Sequence, residues 1–150
     1  MAKRERADAI HYGWAVANAL TAAGIENSGA APAGGPGKLK RALTISLLDC
    51  YWHIPDFENS VEMSLEWDEE HGWALLDVNE PGAVRGFAYT YYDLELGVLP
   101  EPARVARLVN SVLAGKECLG IGPRRKYRMA IKHNSDFEAA LAAYRGEAPK

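Results

Sequence analysis

His71 follows directly on three acids, Asp68, Glu69 and Glu70, and four ionisable groups packed so closely could bind a divalent cation or serve acid–base chemistry. The same run is what a solvated turn needs. It ends in Gly72, joins two tryptophan-bearing stretches, and lacks the regularly spaced oxygen ligands over about twelve residues that a calcium loop requires. We read it as a turn. Cys50 and His53 have C-x-x-H spacing, and Cys118 or His71 would complete a tetrahedral zinc set. Structural zinc draws on two close-spaced ligand pairs, however, and Cys118 has no close Cys or His. A Cys–His nucleophile pair at Cys50 lacks any local signature. No catalytic residue, metal site or cofactor is therefore expected, and Cys50 and Cys118 read as free thiols of a reducing cytosol.

Gly120-Ile121-Gly122-Pro123 ahead of Arg124, Arg125 and Lys126 suggests a glycine loop that holds an anion. Such loops leave a strand and open a helix with free N–H groups, whereas this one follows a helical pattern and contains a proline, so a linker turn is preferred. The bases themselves carry the stronger signal. Arg124, Arg125, Lys126, Arg128 and Lys132 are five in nine residues, with no acid between Glu117 and Asp136. They suit nucleic-acid phosphates or an acidic protein surface. The alternative is a solvated strand, or a patch that pairs internally with the acidic hairpin. An overall pI near 5.8 speaks against a dedicated nucleic-acid domain, which is usually basic throughout. The charge is segregated along the chain: residues 56–101 hold twelve acids against Arg85, and residues 102–132 hold eight bases against Glu117, beneath a net charge of only −3.

The elements that position these groups follow from periodicity. One hundred and fifty residues make one ordinary domain, and 48% apolar with 25% charged residues excludes collagen-like, disordered and polytopic membrane classes. Ile10, Trp14, Ala17 and Leu20 predict a first helix from Arg4 to Ala23. Lys3, Arg4 and Arg6 before it do not make a signal peptide, because Glu5, Asp8, His11 and Asn18 interrupt any apolar run. With no membrane span either, the expected location is the cytoplasm. Residues 24–38, with five glycines and two prolines, predict a flexible loop. Residues 41–54 are ambiguous between helix and strand, and we read strand.

Val61, Met63, Leu65 and Trp67 alternate with polar residues, predicting a strand buried on one face that turns at Asp68–Gly72 into a second strand over 73–78. Pairing Leu65 with Ala74 and Met63 with Leu76 keeps one face apolar, whereas the neighbouring register sets Asp77 against Met63 in the core. A turn at Glu80-Pro81-Gly82 leads to a third strand, Val84 to Asp93. Pro102 to Leu113 predicts a second helix, and Lys126 to Lys132 a short strand with a basic outer face. Ser135 with Glu138 predicts a capping box opening a last helix. The expected fold is α+β: an antiparallel sheet of four to five strands with helices on one face and helices at both ends. In the preferred register Trp73 faces away from the core, and Tyr89 and Tyr91 lie opposite Tyr92. Trp73, Tyr89, Tyr91 and Tyr92 are thus candidate interface aromatics.

Ile54-Pro55-Asp56, the hairpin Trp67-Asp68-Glu69-Glu70-His71-Gly72-Trp73 and Leu99-Pro100-Glu101-Pro102-Ala103-Arg104-Val105-Ala106 together resemble a family of small uncharacterised actinobacterial proteins, a domain of unknown function. The resemblance covers residues 10–116 and implies a bacterial cytoplasmic origin, with no activity or site residues to carry over. Residues 117–150 read as a C-terminal extension to that core.

Three functions are open at this point. The leading one is a non-enzymatic adaptor or regulatory protein that binds a protein partner, or itself as a homodimer, through the aromatic sheet face. The second is an accessory nucleic-acid binder using Arg124, Arg125, Lys126, Arg128 and Lys132. The third is a small enzyme or ligand carrier with a pocket between the sheet and the second helix and with Asp49, His53 or His71 as acid–base groups. Contact between the acidic and basic segments would make their charges structural.

Overall fold

A computed structural model describes residues 6–34, 40–48, 57, 60–79 and 88–150. Alternation over Leu43, Ile45 and Leu47, then Met63, Leu65 and Trp67, then Trp73 and Leu75 builds one continuous buried sheet face from three successive strands. The sheet has five antiparallel strands in the order β1-β2-β3-β4-β5: β1 Asn27–Pro32, β2 Ala42–Leu47, β3 Ser60–Asp68, β4 Gly72–Asn79 and β5 Ala88–Asp93. Against its buried face lie α1 (Ile10–Ala22), α2 (Pro102–Leu113) and α3 (Ser135–Ala142). Tyr12, Val16 and Leu20 recur every four residues on α1 and are fully buried, as α2 buries Val105, Val109 and Val112 and α3 buries Phe137 and Leu141. The fold is the expected α+β architecture.

Residues 24–38 carry a strand where a loop was expected. Residues 27–32 pair with β2, Ala30 opposite Ile45 and Pro32 opposite Leu43. The small residues that make this segment look unstructured are what its position demands. A Cβ on Gly13 of α1 would stand only 2.9 Å from the Ala30 Cβ, so α1 can lie this close only over small side chains. Pro32 is tolerated because β1 is an edge strand. Residues 42–47 are strand, as expected.

The β3–β4 register is the neighbouring one, not the one preferred from sequence. Leu65 faces Leu75, Trp67 faces Trp73 and Met63 faces Asp77. The turn decides this: Asp68 pairs with Gly72, and the Asp68 carboxylate accepts the N–H groups of Glu70 and His71, at 2.8 Å each, which fixes a three-residue loop. Asp77 is buried but accepts a hydrogen bond from Ser60 Oγ, so the feared unpaired acid does not arise. A bulge at Val61 turns that residue out to solvent.

Residues 126–132 form no strand; residues 126–129 lie along the hairpin turn, where Tyr127 N donates to Glu70 O, and the segment then turns at 130–132, where Lys132 N donates to Met129 O. The α3 N-cap is Asn134, whose side-chain Oδ1 accepts from Phe137 N at 3.0 Å, and Glu138 is drawn away from a capping box to Arg41 and Ala7. Asp49, Cys50, Trp52, His53, Phe87 and the Glu80-Pro81-Gly82 turn lie outside the described residues.

Candidate functional site

The tryptophan-flanked turn is built from inside outward. Trp67 and Trp73 stand opposite each other on the core face, ring centroids 6.5 Å apart. Trp67 Nε1 donates to Val98 O at 2.6 Å, and Trp73 Nε1 to the Tyr12 hydroxyl at 3.0 Å, which in turn donates to Pro100 O. Burial pushes the Tyr12 hydroxyl well above its ordinary pKa, so it stays a donor. Gly72 adopts φ +72°, and a Cβ there would meet Gly97 O at 2.2 Å. Only glycine fits a positive φ with a backbone oxygen that close.

Glu69 projects from this turn with no exposed surface. It accepts from Arg41 N at 2.6 Å and Nε at 2.8 Å, from Arg6 Nη2 at 2.9 Å and from Arg128 Nη1 at 2.8 Å. Burial disfavours its charge, but the hydrogen bonds from Arg41 and Arg128 outweigh that and hold its pKa below the ordinary value. Arg41 also reaches Glu138 through Nη1 at 2.7 Å and Nη2 at 2.6 Å, and Glu138 accepts from Ala7 N at 2.8 Å. The bidentate bond from Arg41 keeps the Glu138 carboxyl low as well. The guanidinium of Arg128 stacks on Phe137, 4.0 Å from the ring centroid.

The flanking acids take the remaining bases. Asp68 lies 2.9 Å from His71 Nδ1, 3.4 Å from Arg124 and 3.5 Å from Lys40; burial raises its pKa, but His71 and the turn N–H groups bring it below the ordinary value. Glu70 accepts from Ala130 N at 2.9 Å, the main cause of its lowered pKa, and lies 3.7 Å from Lys126. The Glu70 carbonyl accepts from Tyr127 N at 2.7 Å, and the Gly72 carbonyl from Arg124 Nη2 at 2.6 Å. Arg124, Lys126 and Arg128, at alternate positions, thus seat one extended arm on one acidic turn.

Of the five candidate bases, three are in ion pairs with the hairpin. Arg125 and Lys132 are exposed and make no ion pair with the described residues; Arg125 N donates to Asp93 at 2.8 Å, and its guanidinium lies 5.5 Å from the Tyr127 ring centroid. Trp73, expected to face outward, is 1% exposed, a consequence of the register. Tyr92 is half-buried against Phe57 on the core side. Tyr89 and Tyr91 lie on the outer face of β5, 65% and 42% exposed, with the Arg124 guanidinium 6.0 Å from the Tyr91 ring centroid. Sequence reasoning missed Arg6, Arg41 and Glu138. Their only signal was charge beside apolar segments, which does not reveal a partner 28 or 97 residues away.

A cleft of about 500 Å³ does lie between the end of β5, α2 and residues 117–120, with Arg104, Arg107, Glu117 and Cys118 on its walls. His71 is not among its lining residues; it is engaged by Asp68. Among the described residues no group of three His, Cys, Asp or Glu side chains could hold a metal ion. No described helix is long and apolar enough to cross a membrane.

Residues 12–111 match a family of unknown function (DUF6292), and the chain belongs to that family. No curated protein and no solved structure matches it. The matched region of this chain holds Arg41 and the whole acidic turn but stops short of the basic arm and α3, so Arg128 and Glu138 come from residues outside the match.

Proposed function

We propose that this family member is a non-enzymatic, cytoplasmic binding protein of bacterial origin that acts through a protein–protein interface on the outer face of β5. The observation that carries this reading is the pair Tyr89 and Tyr91, both exposed on the edge strand of the sheet. Two large aromatics there, with Arg124 beside Tyr91, are the residue types enriched in interface cores, and they cover apolar area at low entropic cost. On its outer edge β5 carries an isolated antiparallel bridge from Tyr92 to Ile121, and a second chain would pair with the β5 backbone nearer Tyr89. The partner is another protein or a second copy of this one.

The basic arm supports a nucleic-acid reading less well, because Arg124, Lys126 and Arg128 already face carboxylates and a phosphate would have to displace them. Light scattering on the eluting protein, with Y89A/Y91A beside it, tests the interface reading. Association of the wild type with itself or a retained partner, lost in the double variant, is the expected result. A strict monomer at high micromolar concentration that retains no partner in pull-downs overturns it.

A further inference from the structure

The cleft between the end of β5, α2 and residues 117–120 gathers opposite charges without joining them. Arg104 and Arg107, three residues apart and so on one face of α2, share its walls with Glu95 and Glu117. Among the described residues, none of these four side chains makes an ion pair or a hydrogen bond. The remaining acid of the cleft, Asp93, is engaged: it accepts from Glu95 N at 2.9 Å and from Arg125 N at 2.8 Å. Two cations thus share the cleft with two unpaired carboxylates, a balance that favours neither an anion nor a cation. Glu95 is the sole non-glycine residue at positive φ among those described, at +53°, and backbone held in that region concentrates at ligand sites. Leu94 is buried in the core, and Leu96, Leu108 and Leu119 pack against it, so the rest of the lining is largely apolar.

We propose that this cleft binds a free α-amino acid with an apolar side chain. Such a zwitterion carries one carboxylate and one ammonium, and each meets groups of the opposite sign. The guanidinium forks of Arg104 and Arg107 suit the carboxylate, and Glu95 and Glu117 accept from the ammonium. The leucines receive the side chain, whose removal from water adds to the affinity. All four charged side chains are exposed and unpaired, so the ligand breaks no existing ion pair on entering. A volume of about 500 Å³, apolar with a few polar groups, is that of a small-molecule site. Neither Tyr89 nor Tyr91 lines the cleft, and the inference does not depend on the interface reading.

The test is an amide-resonance titration of the full chain with L-leucine, N-acetyl-L-leucine and L-leucinamide at equal ionic strength. Leucine should shift the resonances of residues 93–96, 104–111 and 117–120 saturably. The acetyl derivative lacks the ammonium and the amide lacks the carboxylate, so each should bind at least about tenfold more weakly. R104Q/R107Q and E95Q/E117Q remove exposed, unpaired charges and should keep the wild-type fold while weakening leucine by at least the same factor. R145Q removes a charge that does not line the cleft and should leave binding unaltered. No saturable shift with leucine, equal binding of the three compounds, or wild-type affinity in both double variants overturns the proposal.

Discussion

Arg41 binds Glu69 three times, through its backbone N–H at 2.6 Å, Nε at 2.8 Å and Nη2 at 3.2 Å, and so ties the start of β2 to the turn between β3 and β4. Because Glu69 has no exposed surface, neutralising it leaves Arg41 and Arg128 largely desolvated beside a group that no longer balances them. Breaking one side of a buried ion network costs about 3–5 kcal/mol. E69Q should lower stability by that order in a urea melt, with an unchanged m-value if the unfolded state is unaffected.

The same network sets the acid limb of stability. Asp68, Glu69, Glu70 and Glu138 have folded pKa values below their ordinary 3.8 and 4.5. A depressed carboxyl contributes stability that is complete above its unfolded pKa and disappears as pH falls through the folded one. Their contribution is therefore constant down to about pH 5 and is lost progressively as pH falls further. Thermal melts across acid pH should show Tm falling there in the wild type and falling less steeply in E69Q, which has lost one of the four groups.

Gly72 gives a local test of the turn. G72A sets a methyl 2.2 Å from Gly97 O on a backbone at φ +72°, so either the turn or the 94–98 loop must move. A loss of about 1–3 kcal/mol is expected from the left-handed conformation and the clash together. G120A, with nothing within 4 Å of its new Cβ, should stay within about 0.5 kcal/mol of wild type. Equal losses in the two variants would show that the close approach to Gly97 is not what fixes the turn.

The periodic elements were legible because burial repeats along them: Tyr12-Val16-Leu20 and Met63-Leu65-Trp67 announce their own faces. The register of β3 on β4 was not. Apolar alternation favoured Met63 against Leu76, but the Asx turn at Asp68 and the hydrogen bond from Ser60 to Asp77 reversed that preference, and both depend on side-chain geometry that no periodicity encodes. β1 was illegible for a different reason. Its residues are small to let α1 approach, and smallness reads as loop. The arm alternates like a strand because every second side chain meets an acid on the turn, not because it joins a sheet. The charge segregation was visible in composition; that its two halves touch is a long-range fact of the fold.

That contact makes the nucleic-acid alternative quantitative. Each phosphate neutralised by a base contributes about −0.9 to the slope of log K against log salt on duplex DNA. If the arm stays seated, only Arg125 and Lys132 of its five bases are available, and DNA binding through the arm should show a slope no steeper than about −2. Five free bases would give about −4.5, which requires Arg124, Lys126 and Arg128 to leave the hairpin and uncover Glu69. Such release would carry the cost of breaking the buried network, so E69Q, which weakens the seat, should then increase DNA affinity. With the arm seated, E69Q leaves both slope and affinity unchanged. Titrations of wild type and E69Q at several salt concentrations separate the two cases, and a steep slope that E69Q strengthens would show the arm acting on a partner in exchange for its own hairpin.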